Sequence, residues 1–177
     1  MTRKVFLTGK PGVGKTTIVE RVISMLRSKG FKVGGMVTFE VREGGVRKGF
    51  MVTDILTGRK GVLAWVGGSG PKIGKYTVNL KDLEEIGVNA IKLALADADI
   101  VVVDEVGPME LFSDNFRSIT KALIKADKPV IGVVHYKVKD PLVESIKKNP
   151  DVKVFEVSVE NREFLPKKVL DILLFQN

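Results

Sequence analysis

The segment Gly9-Lys10-Pro11-Gly12-Val13-Gly14-Lys15-Thr16 constrains this chain more than any other part of it. It fits the pattern G-x-x-x-x-G-K-[ST], and its flanks fit as well. Residues 4–8, Lys4-Val5-Phe6-Leu7-Thr8, read as a buried strand, and residues 17–29 read as a helix. The segment is therefore a phosphate loop (P-loop) joining a strand to a helix. Gly9, Gly12 and Gly14 let the backbone turn tightly, so that successive N–H groups point inward at phosphate oxygens. The helix adds its free N-terminal N–H groups and a dipole that favours anions. The phosphate cradle is expected to run from Gly9 through Lys10, Pro11, Gly12, Val13, Gly14, Lys15 and Thr16 to Thr17. Within it Lys15 reaches the β- and γ-phosphates, and the Thr16 hydroxyl ligates Mg²⁺.

The rest of the chain alternates between strand and helix patterns. Ile18, Val19, Val22, Ile23 and Leu26 recur at helical spacing, and Gly30 supplies a stop. Residues 32–40 read as a strand. Glu43-Gly44-Gly45-Val46 is a hairpin turn, and β-rich segments continue over 47–53, 61–66 and 75–78. Residues 39–78 are thus expected to be an antiparallel addition at one edge of the sheet. Helical periodicity returns over 80–98, with Asn79 as its cap. Ile100-Val101-Val102-Val103 is a β-branched run typical of a strand buried on both faces. Helix is expected over 112–126, 141–148 and 165–175, and strand over 130–134 and 152–157. Such alternation predicts a single α/β domain over 1–177, with a mostly parallel sheet and helices on both faces.

Composition narrows the partners. At 177 residues and 44% hydrophobic, the chain can bury one substantial core. No apolar run approaches the roughly 20 residues that span a bilayer. The glycines of the P-loop interrupt any signal-peptide core, and the absence of Cys rules out disulfides and thiolate metal sites. A cytoplasmic protein, with a monomer favoured, is the expectation. The net charge of +8 is spread along the chain without a basic block or aromatic platform. This argues for a solvated Lys-rich surface and against nucleic acid.

The second half of the site lies in Ile100-Val101-Val102-Val103-Asp104-Glu105, an apolar strand ending in two carboxylates. The C-terminal ends of parallel strands face the crevice that holds the P-loop. Asp104 is placed to hold Mg²⁺ opposite Thr16, and Glu105 to orient or deprotonate an attacking water.

Asp104-Glu105-Val106-Gly107-Pro108-Met109-Glu110-Leu111-Phe112 resembles the D-E-[IV]-G-x-M-E-L motif of a small P-loop nucleoside-triphosphatase family. That family includes thermophile proteins and an animal cancer-related nucleoside-triphosphatase. The P-loop with its strand, residues 39–50, residues 72–78 and Glu160-Asn161-Arg162 also resemble segments of the family, in the same order. The resemblance implies a three-layer, RecA-like domain of the additional-strand P-loop group. It also implies Mg²⁺-dependent hydrolysis of nucleoside triphosphate to diphosphate and phosphate, with broad base tolerance and Glu105 as the catalytic carboxylate. Three positions depart from the family pattern: Phe39 replaces a frequent acidic residue, Pro108 a Lys, and His135 a Pro.

Other residues carry weaker signals. Arg42, Arg47, Arg59 or Arg162 could neutralise charge on the γ-phosphate, while Arg162 with Asn161 could instead flank the base or ribose. His135, the lone histidine, reads as structural, and Trp65 and Tyr76 as packing residues. Glu110 and Glu40 are the next candidates for the base should Glu105 not serve. A nucleotide or small-metabolite kinase, with its acceptor pocket in 39–78, is the alternative to hydrolysis. A nucleotide-operated RNA-binding or regulatory module is a third reading.

Overall fold

The computed structural model describes residues 3–175. Its strands are β1 (Lys4–Thr8), β2 (Val33–Glu43), β3 (Val46–Asp54), β4 (Lys60–Val66), β5 (Lys72–Ile73), β6 (Tyr76–Val78), β7 (Ile100–Val106), β8 (Val130–Val134) and β9 (Val152–Glu156). They form one sheet in the order β5-β6-β4-β3-β2-β7-β8-β1-β9. The half from β2 to β9 is parallel, and β3 to β6 extend it with antiparallel pairs. The strand that feeds the P-loop, β1, is separated from the acid-bearing β7 by β8, which is the arrangement of the additional-strand group.

Helices cover both faces. On one face α1 (Lys15–Ser28) and α6 (Leu165–Leu174) bury Ile18, Val22, Leu26, Val169 and Leu173 against Val5, Leu7, Val102 and Val133 of the sheet. On the other lie α2 (Leu80–Asp82), α3 (Asn89–Asp97), α4 (Asp114–Lys125) and α5 (Pro141–Lys148). Their Ile91, Phe116, Leu123 and Ile146 pack with Phe6, Val101, Val103 and Val134. Because side chains alternate along a strand, each apolar run of β7 and β8 serves both cores, as its lack of polar alternation predicted.

Strand β2 belongs to both parts of the sheet. Val33 to Met36 pair in parallel with Ile100 to Val103, and the rest of the strand pairs with β3 as an antiparallel hairpin closed at Gly44-Gly45. This matches the expected edge addition, with the small strand β5 beyond it. The helix expected over 80–98 is interrupted by a π-helical stretch, Leu83–Val88, where Gly87 lies against Met36 and Val52. Asn79 caps α2 as expected, accepting from the Asp82 N–H at 3.1 Å. The helix expected from residue 112 begins instead at Asp114, because the Ser113 hydroxyl caps it by accepting from the Phe116 N–H at 3.0 Å. Among the described residues no helix is long and apolar enough to cross a membrane.

Gly35 sits where β2 meets β7, with φ of +113°. A Cβ there would stand 2.0 Å from the Val102 carbonyl oxygen, a backbone atom that cannot move aside. Gly35→Ala is therefore expected to destabilise the fold by about 3 kcal/mol or more, measured by urea denaturation.

Candidate active site

The P-loop spans the end of β1 and the start of α1. Gly9, Gly12 and Gly14 all have positive φ, and the N-terminus of α1 at Gly14 has no side-chain cap. No side chain caps its first-turn N–H groups, which suits an anion there. Lys15 curls back over the loop, donating to the carbonyl oxygens of Gly9 and, at 3.0 Å, Lys10. Partial burial lowers its pKa, while Glu105 and then Asp104 pull it back up. Both acids therefore lie within electrostatic reach of the P-loop lysine.

The Thr16 hydroxyl donates to Asp104 Oδ2 at 3.1 Å, closing the crevice from α1 to β7. Asp104 is 3% exposed. Burial first and the neighbouring Glu105 second push its pKa up to about 7, against the hydrogen bond from Thr16 and the charge of Lys15. Two hard oxygen donors facing one another, one of them a buried carboxylate short of positive charge, suit Mg²⁺. Among the described residues no three acidic, His or Cys side chains converge as a complete ligand set. Such a site fits an ion that takes its remaining ligands from water and substrate phosphates, as Mg²⁺ does.

Glu105 is presented by a bulge. Asp104 pairs with Val133 and Val106 with Val134, leaving Glu105 unpaired between them. Without the bulge, alternation would send Glu105 to the face opposite Asp104; with it, both acids lie near Lys15. The side chain folds back over Gly107, where a Cβ would come 2.5 Å from Glu105 Oε1. Burial raises the pKa of Glu105 and Lys15 lowers it, a setting that suits a proton acceptor.

Glu110, in the 3₁₀ turn Glu110–Phe112, is a third carboxylate in this region. It is 2% exposed, and its Oε2 has no hydrogen-bond partner among the described residues. Burial, then Glu105 and Asp104, hold its pKa well above the carboxylate range. Glu40, the other reserve candidate, lies exposed on the hairpin and is engaged by Arg42 and Arg47. It is not placed to act as the base.

The arginines separate in the same way. Arg47 donates to the Tyr76 hydroxyl at 2.7 Å and lies over the rings of Phe50 and Tyr76, while Arg42 binds Glu40 and the Gly45 carbonyl. Arg59 is exposed beside the turn that precedes β4. Tyr76 is buried, edge-on to Phe50, and so belongs to packing. Only Arg162 touches the P-loop, through a 3.4 Å contact from Nη1 to the Val13 carbonyl. It lies in the turn before α6. Asn161 shapes that turn by accepting from the Ser158 N–H and donating to the Glu156 carbonyl, both at 2.8 Å. Beside it, Gly14, Thr17, Ile18, Arg21, Arg162 and Glu163 line a cleft of about 180 Å³.

A family model described as NTPase matches residues 4–170. The chain is 48% identical to nucleoside-triphosphatase THEP1 of Thermofilum pendens, over 93% of this chain and 91% of that protein. It is 46% identical to the Methanosarcina acetivorans protein of the same name, over 97% of each. Among solved structures, it resembles THEP1 from Aquifex aeolicus with a TM-score of 0.85 at 28% identity, over 97% of this chain and 99% of that one. It resembles a human cancer-related nucleoside triphosphatase with a TM-score of 0.83 at 36% identity, over 98% of each chain.

The raised pKa of Asp104 has a consequence for stability. The folded state holds this proton more tightly than the unfolded chain does, so stability rises as pH falls through about 7 and is lost as pH rises. Asp104→Asn imitates the protonated acid. Without nucleotide or metal, its Tm should exceed that of the wild type by roughly 5 °C at pH 8, and the gap should narrow towards pH 5.

Proposed function

Because the chain belongs to the NTPase family matched over residues 4–170, we propose that it carries out Mg²⁺-dependent hydrolysis of nucleoside triphosphates to diphosphate and phosphate. The observation that carries this reading is the bulge at Glu105, which turns a second carboxylate towards Lys15 beside Asp104. In this reading the glycine-rich loop and the first turn of α1 bind the phosphates through backbone N–H groups. Lys15 leaves its carbonyl partners for the β- and γ-phosphate oxygens. Thr16 and Asp104 would hold Mg²⁺, which when bound would supply positive charge to the phosphates. Glu105 aligns a water with the terminal phosphorus and takes up its proton as the new P–O bond forms and the bond to the leaving diphosphate breaks.

Broad base tolerance follows from the same contacts, since backbone N–H groups read phosphate and not the base. Arg162 and the cleft beside Thr17 are the surfaces available to the ribose or base. The guanidinium at the Val13 carbonyl is close enough to the loop to flank a bound nucleotide.

A panel of ATP, GTP, CTP and UTP with Mg²⁺, with and without nucleoside monophosphates and other acceptors, tests the reaction. Phosphate release from each triphosphate alone, unaffected by acceptors, is the expected result. Stoichiometric transfer to an acceptor with negligible release in its absence would overturn it in favour of a kinase. Lys15→Ala is expected to abolish release while leaving the thermal melt unchanged.

The two acids should fail differently. Asp104→Asn should weaken Mg²⁺-dependent nucleotide binding as well as turnover. Glu105→Gln should keep binding of a non-hydrolysable triphosphate and lower single-turnover release by roughly 10²–10⁴, about 3–5 kcal/mol of barrier. Hydrolysis by Glu105→Gln within a few-fold of wild type would move the base elsewhere, with the buried Glu110 next in line.

A further inference from the structure

His135 stands at the crest of β8, between the two halves of the site. Val133 pairs with Leu7 on one side and with Asp104 on the other, and the His135 N–H donates to the Val106 carbonyl at 3.1 Å. Continuing the β1 register brings His135 level with Gly9, the first P-loop residue. The side-chain direction follows from alternation. Ile131 and Val133 enter the core under α1, whereas Val130 and Val134 enter the opposite core. The next side chain therefore projects onto the α1 face, the face of the P-loop and of Asp104.

The ring is fixed in one tautomer. Nδ1 accepts two backbone N–H groups, from Lys137 at 3.2 Å and Val138 at 3.0 Å. An Nδ1 that accepts cannot carry the proton, so the neutral ring presents Nε2–H as its donor. Burial and the charges of Lys15, Lys147 and Lys137, in that order, also hold its pKa down. The charge of Lys15 reaches the ring, which agrees with a ring turned to the P-loop. The loop that supplies the two N–H groups is itself braced. Arg117 binds both Asp140 oxygens, at 3.1 and 2.7 Å, and its Nε donates to the Leu111 carbonyl at 2.8 Å. The segments after β7 and β8 are thereby tied together.

We propose that His135 is a catalytic hydrogen-bond donor, whose Nε2–H contacts an oxygen of the terminal phosphate beside Lys15. This rests on the nucleoside-triphosphatase reading. The histidine keeps its proton throughout; the proton of the attacking water goes to Glu105. A fixed neutral donor stabilises charge that grows on the phosphoryl oxygens without adding a second cation next to Lys15.

The ring nitrogens can be separated by substitution. Gln places an N–H₂ donor near the reach of Nε2, whereas Asn places an acceptor near Nδ1. The full-length chain, wild type and the variants His135→Ala, His135→Gln, His135→Asn and Lys15→Ala, would be compared by kcat for ATP with Mg²⁺, affinity for a non-hydrolysable ATP analogue, and Tm. His135→Ala should lower kcat by about 10² with analogue affinity changed only a few-fold. Gln should recover most of that loss, and Asn should recover Tm but not kcat. Recovery of kcat by Asn and not Gln would overturn the proposal and make His135 a loop anchor. So would an Ala variant within three-fold of wild type, or kcat and Tm falling together in all three variants. A wild type that releases no phosphate, or a Lys15→Ala variant as active as the wild type, would instead sink the hydrolase reading and this inference with it.

Discussion

Two strand spacings, about 9–10 Å, separate β1 from β7 because β8 lies between them. That gap sets the scale of the crevice at the crest of the sheet. Lys15 and Thr16 enter it from the P-loop side, Asp104 and Glu105 from the β7 side, and the Thr16–Asp104 hydrogen bond spans it. The buried β8 thus spaces the two halves of the site, and the residue that follows it, His135, lies at the crest between them.

The electrostatics of the crevice follow from burial more than from pairing. Asp104, Glu105 and Glu110 all have pKa values raised by desolvation, and Glu105 raises those of Asp104 and Glu110 further. Lys15 is the main compensating charge, and it is itself occupied with carbonyl oxygens. Such a cluster is a poor stabiliser of the fold, because buried like charges are costly without full partners. Its composition makes sense when a cation and a polyphosphate share the site, since each ligand satisfies groups that the protein leaves in deficit. Stability comes from elsewhere, from the two apolar cores on either side of the sheet and the tight β2–β7 contact at Gly35.

Much of this was legible in the residues. The P-loop was readable because glycine spacing, a buried strand and a helix are local properties, and the all-buried β7 and β8 because their runs are apolar at every position. The edge addition was legible from the Gly-Gly turn between β-branched segments. What escaped were features that depend on pairing at a distance. The bulge at Glu105 arises from register with β8, so adjacency in sequence gave no sign of which way the acid would turn. The π-helical stretch in the helix after β6 arises where Gly87 packs against β2 and β3. The arginines looked equivalent in sequence, and only the fold shows that Arg42 and Arg47 are spent on Glu40 and Tyr76 while Arg162 reaches the loop. His135 read as structural, and only the sheet order shows that its strand ends beside the P-loop.

Division of labour along the crest explains how such a site can be both exacting and tolerant. In the proposed reading the groups that address the phosphates come from the P-loop and from the ends of β7 and β8, strands joined by the sheet, with the segments after β7 and β8 also tied by Arg117. Change at any of them disturbs a neighbour through register or burial. The surface proposed to face the rest of a nucleotide comes instead from the turn between β9 and α6, held by Asn161 and contacting the P-loop through one long arginine contact. Among the described residues β9 is an edge strand paired only with β1, so its following turn can alter length and side chains without shifting β7 or β8. In the proposed reading, base preference can therefore vary in that turn while the acids, the lysine and the crevice width stay fixed.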